Sequence, residues 1–309
     1  MGAIAPSSPS APVAELPPPP RRSPARAFGV ALRPRQWTKN LLVFAGILFA
    51  AEVGDGGRWA RALLAFAVYC AASSAAYLVN DVRDAAADRA HPLKRSRPLA
   101  RGELSAAFAL AAAAVLAAAA LAGAALLGAG AVALLGTFLV LQAAYSGALK
   151  HLVLIDVMAI AGLFVVRAAA GAEAVDVRIS PWLLVCTALL ALFLALGKRR
   201  GELVLVGAGR TPGRAVLAGY SLALVDQLVS VVAAATVVSY SIYALTAHET
   251  QALAATIPFV VFGVFRYLLL LHRSGGGEEP EHVLVTDGPI LATVAAWAAA
   301  CGAILLLAG

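Results

Sequence analysis

The residues best suited to chemistry form a short acidic stretch, in which Asn80, Asp81, Asp84 and Asp88 lie close together. On an α-helix these four positions fall within about 100° of arc, so three carboxylates and one amide share a face. Carboxylates this close repel one another unless cations lie among them, and Mg²⁺ prefers such hard oxygen ligands. We therefore predict that Asp81, Asp84 and Asp88 are catalytic metal ligands that hold Mg²⁺ and a diphosphate. The alternative is a solvated helix end with paired acids.

A basic stretch follows the acidic one directly. We assign Lys94 and Arg97 to ligand binding, because an anionic phosphate ester beside such a metal site needs positive charge on its other side. Contact with anionic lipid, or membrane topology, explains the other cations of this loop. These are Arg89, Arg95 and Arg101.

The composition indicates the environment of the chain. It has 309 residues, of which 61% are hydrophobic and 13% are charged, and its mean hydropathy is +0.84. A soluble domain averages about 45–50% apolar and about 25% charged residues. We therefore expect an integral membrane protein. The net charge of +7 does not predict a nucleic-acid partner, because the cations lie between apolar runs, where they set topology.

Nine apolar runs are long enough to cross a bilayer as helices, which takes about 20 residues each. They cover residues 37–54, 58–80, 103–125, 127–146, 152–172, 180–198, 216–246, 253–272 and 288–308. The seventh run is overlong, so its first turns are expected to lie at the interface or to break away. We predict an all-α bundle of nine transmembrane helices. Residues 28–309 form this catalytic domain, and a disordered Pro/Ser/Ala-rich tail occupies residues 1–27.

The cations are distributed unequally between the two sides of this predicted bundle. Twenty of the 24 Lys and Arg residues precede the first run or lie in loops on the same side, whereas Arg58, Arg61 and Arg178 lie on the other side. By the positive-inside rule, the N-terminus and the polar loops face the cytoplasm. We expect a multi-pass protein of the plasma membrane with a cytoplasm-facing cavity and active site.

Ionisable residues inside a span are functional candidates by default. Asp156 lies near the cytoplasmic end of the fifth run, and Arg167 lies eleven residues deeper. We include both among the candidate substrate-binding residues, although Arg167 could instead extend to the far interface. Asp226 in the seventh run either lines the same cavity or is a buried partner where the helix begins.

The pattern NDxxDxxxD, followed by PxKxxRPLxxG, resembles the first aspartate motif of the UbiA superfamily of intramembrane prenyltransferases. Residues 33–40, 145–150 and 196–202 resemble one branch of that superfamily, the decaprenyl-phosphate phosphoribosyltransferases. The resemblance implies substrate binding by a set of polar residues in these stretches. They are Gln36, Lys39, Asn40, Asn80, Tyr145, Lys150, Lys198, Arg199 and Glu202.

The branch resemblance also implies a reaction. A 5-phosphoribosyl group would pass from phosphoribosyl diphosphate to a polyprenyl phosphate, with Mg²⁺ as cofactor and diphosphate as the second product. This would be a step toward a lipid-linked arabinose donor for cell-wall synthesis. The implied partners are the donor, the lipid and the bilayer, with a homo-oligomer left open.

The loop after the sixth run departs from the pattern of aromatic prenyltransferases. Their second acidic cluster is replaced here by Lys198 and Arg199 with a lone Glu202. A basic second pole suits a substrate with another phosphate group, and we assign Arg214 to topology. Two alternatives stay open: an aromatic prenyltransferase that uses a polyprenyl diphosphate, and a transporter of a phosphorylated lipid.

Overall fold

A computed structural model describes residues 21–49, 54–90, 94–178, 180–209, 214–246, 251–273 and 286–308. The regular elements in these ranges are helical. Ten α-helices are α1 Pro24–Ala31, α2 Ala45–Phe49, α3 Gly56–Ala90, α4 Ala106–Leu127, α5 Ala129–Gly147, α6 Ile155–Ala174, α7 Pro181–Gly207, α8 Leu222–Thr246, α9 Ile257–Arg273 and α10 Gly288–Ala308. Five 3₁₀ segments are Pro34–Phe44, Lys94–Ser96, Leu149–His151, Ala215–Gly219 and Gln251–Thr256.

Within the described ranges, eight helices are long and apolar enough to cross a membrane. They correspond to eight of the nine predicted runs, which confirms the all-α membrane bundle. The overlong seventh run does break, because the 3₁₀ segment Ala215–Gly219 precedes α8. Residues 1–20 of the predicted tail lie outside the described residues, and α1 crosses the predicted boundary at residues 27 and 28.

The first predicted run takes a different form from the others. It begins as the 3₁₀ segment Pro34–Phe44 and continues as the short α2, while residues 50–53 lie outside the described part of the chain. This segment packs against the backbone of α6, where a Cβ on Gly171 would clash with the carbonyl of Val43. Irregular backbone is tolerated at membrane depth when it is covered by protein in this way.

The buried apolar side chains form two large clusters on either side of α6. Tyr69 and Phe138 belong to the cluster that α3, α4 and α5 share with α6. Phe193 and Tyr267 belong to the cluster that α6 shares with α7, α8 and α9. Helix α6 is therefore central, and residues on it are positioned by both halves of the bundle.

One end of the bundle, which we call the polar end, is where α3, α5, α7 and α9 finish. Arg22 anchors the loop before α4 there, because its guanidinium donates to Glu103 (2.9 Å) and to the Ser96 carbonyl (3.1 Å). Burial would raise the pKa of Glu103, but the hydrogen bonds and charge of Arg22, with the charge of Arg101, outweigh it and lower that pKa. At the opposite end, Arg61 donates to carbonyls that end α4 and α6.

Candidate active site

Helix α3 brings the predicted acidic residues to the polar end. Asp81 and Asp88 are buried, whereas the Asp84 side chain is 45% exposed. One nitrogen, Nη1 of Arg97, lies 3.3 Å from Oδ1 of Asp81 and 2.7 Å from Oδ2 of Asp88. Nη2 of Arg33 lies 2.5 Å from the same Asp81 oxygen. These three carboxylates, which we call the acidic pole, are therefore interleaved with cations.

Arg33 is a site residue that the sequence interpretation counted only toward topology and family resemblance. Its backbone has φ 54°, in the left-handed region that non-glycine residues rarely adopt. Its guanidinium also lies 4.9 Å from the centre of the Tyr77 ring. Such strained positions cluster at functional sites, where the surroundings hold them in place. Its contact with Asp81 could not be predicted from spacing, because the two residues are 48 positions apart.

In this structure, cationic side chains lie against the three carboxylates of the acidic pole. Lys150 lies 3.9 Å from Asp84, so each carboxylate contacts a cationic side chain. Among the described residues, no three His, Cys, Asp or Glu side chains are grouped so that they could hold a metal ion. However, oxygens of Asp81 and Asp88 converge on a single cationic atom, Nη1 of Arg97. That hard-oxygen pair fits Mg²⁺, with the more exposed Asp84 beside it.

Lys94 and Arg97 both lie beside the acidic pole, in the loop where we predicted ligand binding. Burial lowers the pKa of Lys94, and the positive charges of Arg214 and Arg97 lower it further. Arg214 is therefore close enough to act on Lys94, and its Nη2 lies 3.4 Å from Glu202. Our assignment of Arg214 to topology alone missed this position, which depends on how the chain returns after α7.

A second polar group, which we call the buried network, comprises Asp156, Arg199, Glu202 and Tyr220. Arg199 donates through Nε to Asp156 (2.8 Å) and through Nη1 to Glu202 (2.5 Å). Tyr220 donates to the other Asp156 oxygen (2.7 Å) and accepts from the backbone N–H of Leu154. Burial and the bond to Asp156 raise the pKa of Tyr220 to about 12.

This geometry corrects the expected role of Arg199. Only 2% of its side chain is exposed, and two of its nitrogens contact carboxylates. We predicted direct phosphate contact, because a sequence shows the charge of Arg199 but not the carboxylate of Asp156 that meets it. Arg199 and Asp156 instead join α7 to α6. Tyr220 escaped the sequence interpretation for the same reason.

The remaining candidates occupy the same end of the bundle or the wall below it. Asn80 donates to Ser146 (3.0 Å) and so joins α3 to α5. Tyr145 interacts electrostatically with Arg199. Four others are half-buried side chains on segments that border the polar end. These are Gln36, Lys39, Lys150 and Lys198.

Asn40 and Arg167 meet deeper in the bundle. Asn40 is fully buried and accepts from Nε of Arg167 at 2.8 Å, while Nη1 of Arg167 donates to the carbonyl of Leu163. The Arg167 side chain therefore turns back along α6 toward the polar end, and the alternative that it extends to the far interface is wrong.

The interactions of Asp226 involve neither the acidic pole nor the buried network. It accepts from Arg200 (2.6 Å) and lies 3.8 Å from His272. These contacts tie the start of α8 to the ends of α7 and α9, so we assign Asp226 a structural role.

Comparisons with known proteins agree with this architecture. A relative from Mycolicibacterium smegmatis, named decaprenyl-phosphate phosphoribosyltransferase, is 36% identical over 88% of this chain and 90% of its own. A protein of the same name from Corynebacterium glutamicum is 34% identical over 86% and 83%. The structure of a UbiA homolog from Archaeoglobus fulgidus bound to DMAPP and Mg²⁺ superimposes with a TM-score of 0.71 and 18% identity, over 91% of this chain and 99% of that one.

The model of one protein family, described as the UbiA prenyltransferase family, matches residues 41–284. This range runs from the 3₁₀ segment to beyond α9, and it includes both the acidic pole and the buried network. The chain belongs to the UbiA prenyltransferase family.

Proposed function

We propose that this protein transfers the 5-phosphoribosyl group of phosphoribosyl diphosphate to a polyprenyl phosphate. The bond between the ribosyl C1 and a diphosphate oxygen breaks, a bond from C1 to an oxygen of the lipid phosphate forms, and diphosphate leaves. The names of the two bacterial relatives support this reaction.

The observation that carries the proposal is the set of cations around the acidic pole. Five of them come from four separate segments of the chain, namely Arg33, Lys94, Arg97, Lys150 and Arg214. The position of a second acidic cluster is instead occupied by the buried network, in which Arg199 neutralises Asp156. A donor with phosphate at both ends and an acceptor that is itself a phosphate both suit this excess of positive charge.

We assign Asp81, Asp84 and Asp88 to a bound Mg²⁺, in keeping with the Mg²⁺ in the Archaeoglobus structure. When bound, this ion neutralises the negative charge of the departing diphosphate. Arg97 and Arg33, which contact these carboxylates, are placed to bind phosphate oxygens of the donor through charge-assisted hydrogen bonds. Lys94 and Arg214 bind the phosphate at the opposite end of the donor.

The acceptor needs no strong general base, because a lipid phosphate is already anionic at neutral pH. Carboxylate charge near C1 stabilises the oxocarbenium-like transition state. The main contribution of the protein is to hold two anions, which repel each other, in a reactive orientation.

We place the polar end on the cytoplasmic side of the plasma membrane, because the cations gather there. Cysteines introduced at Arg95 and at Asp55 test this orientation. An impermeant thiol reagent applied to intact cells should label the second position and spare the first.

The decisive experiment incubates the purified protein with phosphoribosyl diphosphate, Mg²⁺ and a polyprenyl phosphate. We expect a phosphoribosylated lipid and an equal amount of diphosphate, and neither product when the lipid is replaced by the neutral polyprenol. A parallel reaction with polyprenyl diphosphate and an aromatic acceptor should give no product. Prenylation in that reaction, without phosphoribosyl transfer in the first, would overturn the proposal.

A further inference from the structure

Two hydroxyl groups lie inside the membrane-spanning bundle without hydrogen-bond partners. They belong to Tyr69 and Ser73, whose exposed fractions are 2% and 4%. Neither hydroxyl has a partner within the described part of the chain. The two residues are one turn apart on α3 and so share a face. Buried hydroxyls are nearly always satisfied, so a pair of unsatisfied ones on one face calls for an explanation.

A buried cation, Arg167, interacts electrostatically with the first of these residues, Tyr69. The Arg167 guanidinium is 4.6 Å from the centre of the Phe138 ring, and the Tyr69 ring centre is 5.1 Å from that of Phe138. The polar contacts of Arg167 are the neutral oxygens of Asn40 and Leu163. No carboxylate among the described residues pairs with it. A guanidinium at membrane depth without a counter-ion is strongly disfavoured, so Arg167 favours an anionic ligand.

The chemistry of these groups selects the class of anion. A guanidinium and two hydroxyls offer hydrogen-bond donors on α3 and α6, two helices that pack together, and an oxyanion such as phosphate offers several acceptor oxygens. Asn40 donates to Cys70 (3.3 Å) while it accepts from Arg167, so a chain of bonds fixes the guanidinium. The folded protein therefore holds the guanidinium in place.

The depth of these donors indicates where the anion comes from. Ser73 precedes Asp81 by eight residues, which corresponds to about 12 Å along the helix. A free phosphate ion would have to lose its water to enter this apolar region. A phosphate attached to a long hydrocarbon chain also loses water there, but burial of the chain in the bilayer helps to offset that cost.

We infer that Tyr69, Ser73 and Arg167 form a binding site for the phosphate group of an anionic lipid. This inference rests on the proposed function, under which that lipid is the acceptor, held below the donor at the acidic pole. It assigns contacts to two residues, Tyr69 and Ser73, that the acidic motif and the basic loops do not contain.

The test uses a double variant, Y69F/S73A, because it removes only the two unpartnered hydroxyls. Thermal unfolding of the purified protein is measured against titrated polyprenyl phosphate, polyprenol and inorganic phosphate. Without ligand, the double variant should be as stable as the wild type or more stable, since no protein hydrogen bond is lost. Its affinity for polyprenyl phosphate should fall by at least about tenfold, while polyprenol binding is unchanged.

Tyr240→Phe is the matched control, because the Tyr240 hydroxyl is bonded to Thr256 (2.6 Å) and to Trp297 (2.7 Å). We expect this variant to lose stability and to keep the wild-type affinity for the lipid phosphate. Equal lipid affinities in the wild type and Y69F/S73A would overturn the inference. So would a loss of affinity confined to inorganic phosphate, which would identify a free ion as the occupant.

These outcomes are separable from the fate of the proposed function. If the wild type makes no phosphoribosylated lipid but its binding of polyprenyl phosphate still depends on Tyr69 and Ser73, the binding site is supported and the proposed reaction is wrong. If turnover occurs and lipid binding does not depend on these hydroxyls, the proposed reaction is supported and the binding site is wrong.

Discussion

The acidic pole and the buried network lie at the same end of the bundle and use the same ionic groups in opposite ways. The cations that contact the acidic pole, Arg33, Arg97 and Lys150, are 26–28% exposed. In the buried network, Arg199 is 2% exposed and Asp156 is fully buried. A cation that solvent reaches can leave its carboxylate more readily than a fully buried one, because water solvates the freed charge. Loss of one member of the buried network would leave a bare charge without water. The first region is therefore suited to ligand exchange and the second to holding helices.

The stability of variants in the two regions tests this contrast most directly, and here we expect the largest effect. Arg199→Met leaves the Asp156 carboxylate buried without its cation, which costs about 3–5 kcal/mol of unfolding free energy. Arg97→Met removes a cation that is 28% exposed, and Arg33 still contacts Asp81 in this variant. We therefore expect it to lose less stability than Arg199→Met, although Asp88 loses this partner. Thermal unfolding of the two purified variants measures the difference.

The double variant D156L/R199M is the control, because it removes both charges and should recover much of the lost stability. If Arg199→Met proves as stable as Arg97→Met, the buried network is not a structural element of the kind described.

The next effect concerns turnover. Asp81→Asn should lower kcat by about 100-fold or more, because it removes a ligand of the metal that neutralises the leaving group, while the thermal unfolding curve changes little. Chelation of divalent ions should abolish activity reversibly. Asp226→Asn is the matched control, since that carboxylate serves only a contact between helices, and its turnover should stay near the wild-type value. Normal turnover in Asp81→Asn would contradict the metal assignment.

A smaller effect, on the KM for the donor, shows how far the phosphate-binding region extends. Lys94→Ala and Arg214→Ala each remove a charge-assisted contact worth about 1.5–3 kcal/mol, so the KM for phosphoribosyl diphosphate should rise by roughly one to two orders of magnitude. Arg95→Ala changes an exposed cation of the same loop and should leave KM unchanged. If Arg214→Ala behaves like Arg95→Ala, the region ends at Lys94.

The smallest effect is a pH dependence. Because the pKa of Lys94 is lowered from 10.5, the folded protein loses this proton before the unfolded chain does. Stability therefore rises with pH between the lowered pKa and 10.5. Donor affinity should instead fall as pH rises through the lowered value, since neutral Lys94 binds phosphate poorly.

Arg214→Ala removes one cause of the lowered pKa, so the alkaline loss of donor affinity should move to higher pH in that variant. A pH profile of kcat/KM for both proteins measures this shift. An unchanged inflection would place Arg214 too far from Lys94 to act on it.

Much of the site was predictable because its signal is local. Asp81, Asp84 and Asp88 share a face through helical spacing alone, and Lys94 and Arg97 follow within one loop. Arg33, Arg214 and Tyr220 were missed, because each gains its role from a partner far along the chain. Arg199 was assigned to ligand binding because its sequence neighbours are basic, and its partner Asp156 is 43 positions away.

The membrane bundle, its apolar spans and the acidic motif could be predicted from the sequence alone, because hydrophobic length and helical periodicity are properties of short segments. Which charged side chains contact one another depends on how the helices pack in the tertiary structure. Helix packing joins Arg33 to Asp81, buries Arg199 against Asp156, and leaves the hydroxyls of Tyr69 and Ser73 without partners among the described residues. Burial and pairing together decide whether a charged side chain binds a ligand or holds the fold, and neither can be read from spacing along the chain.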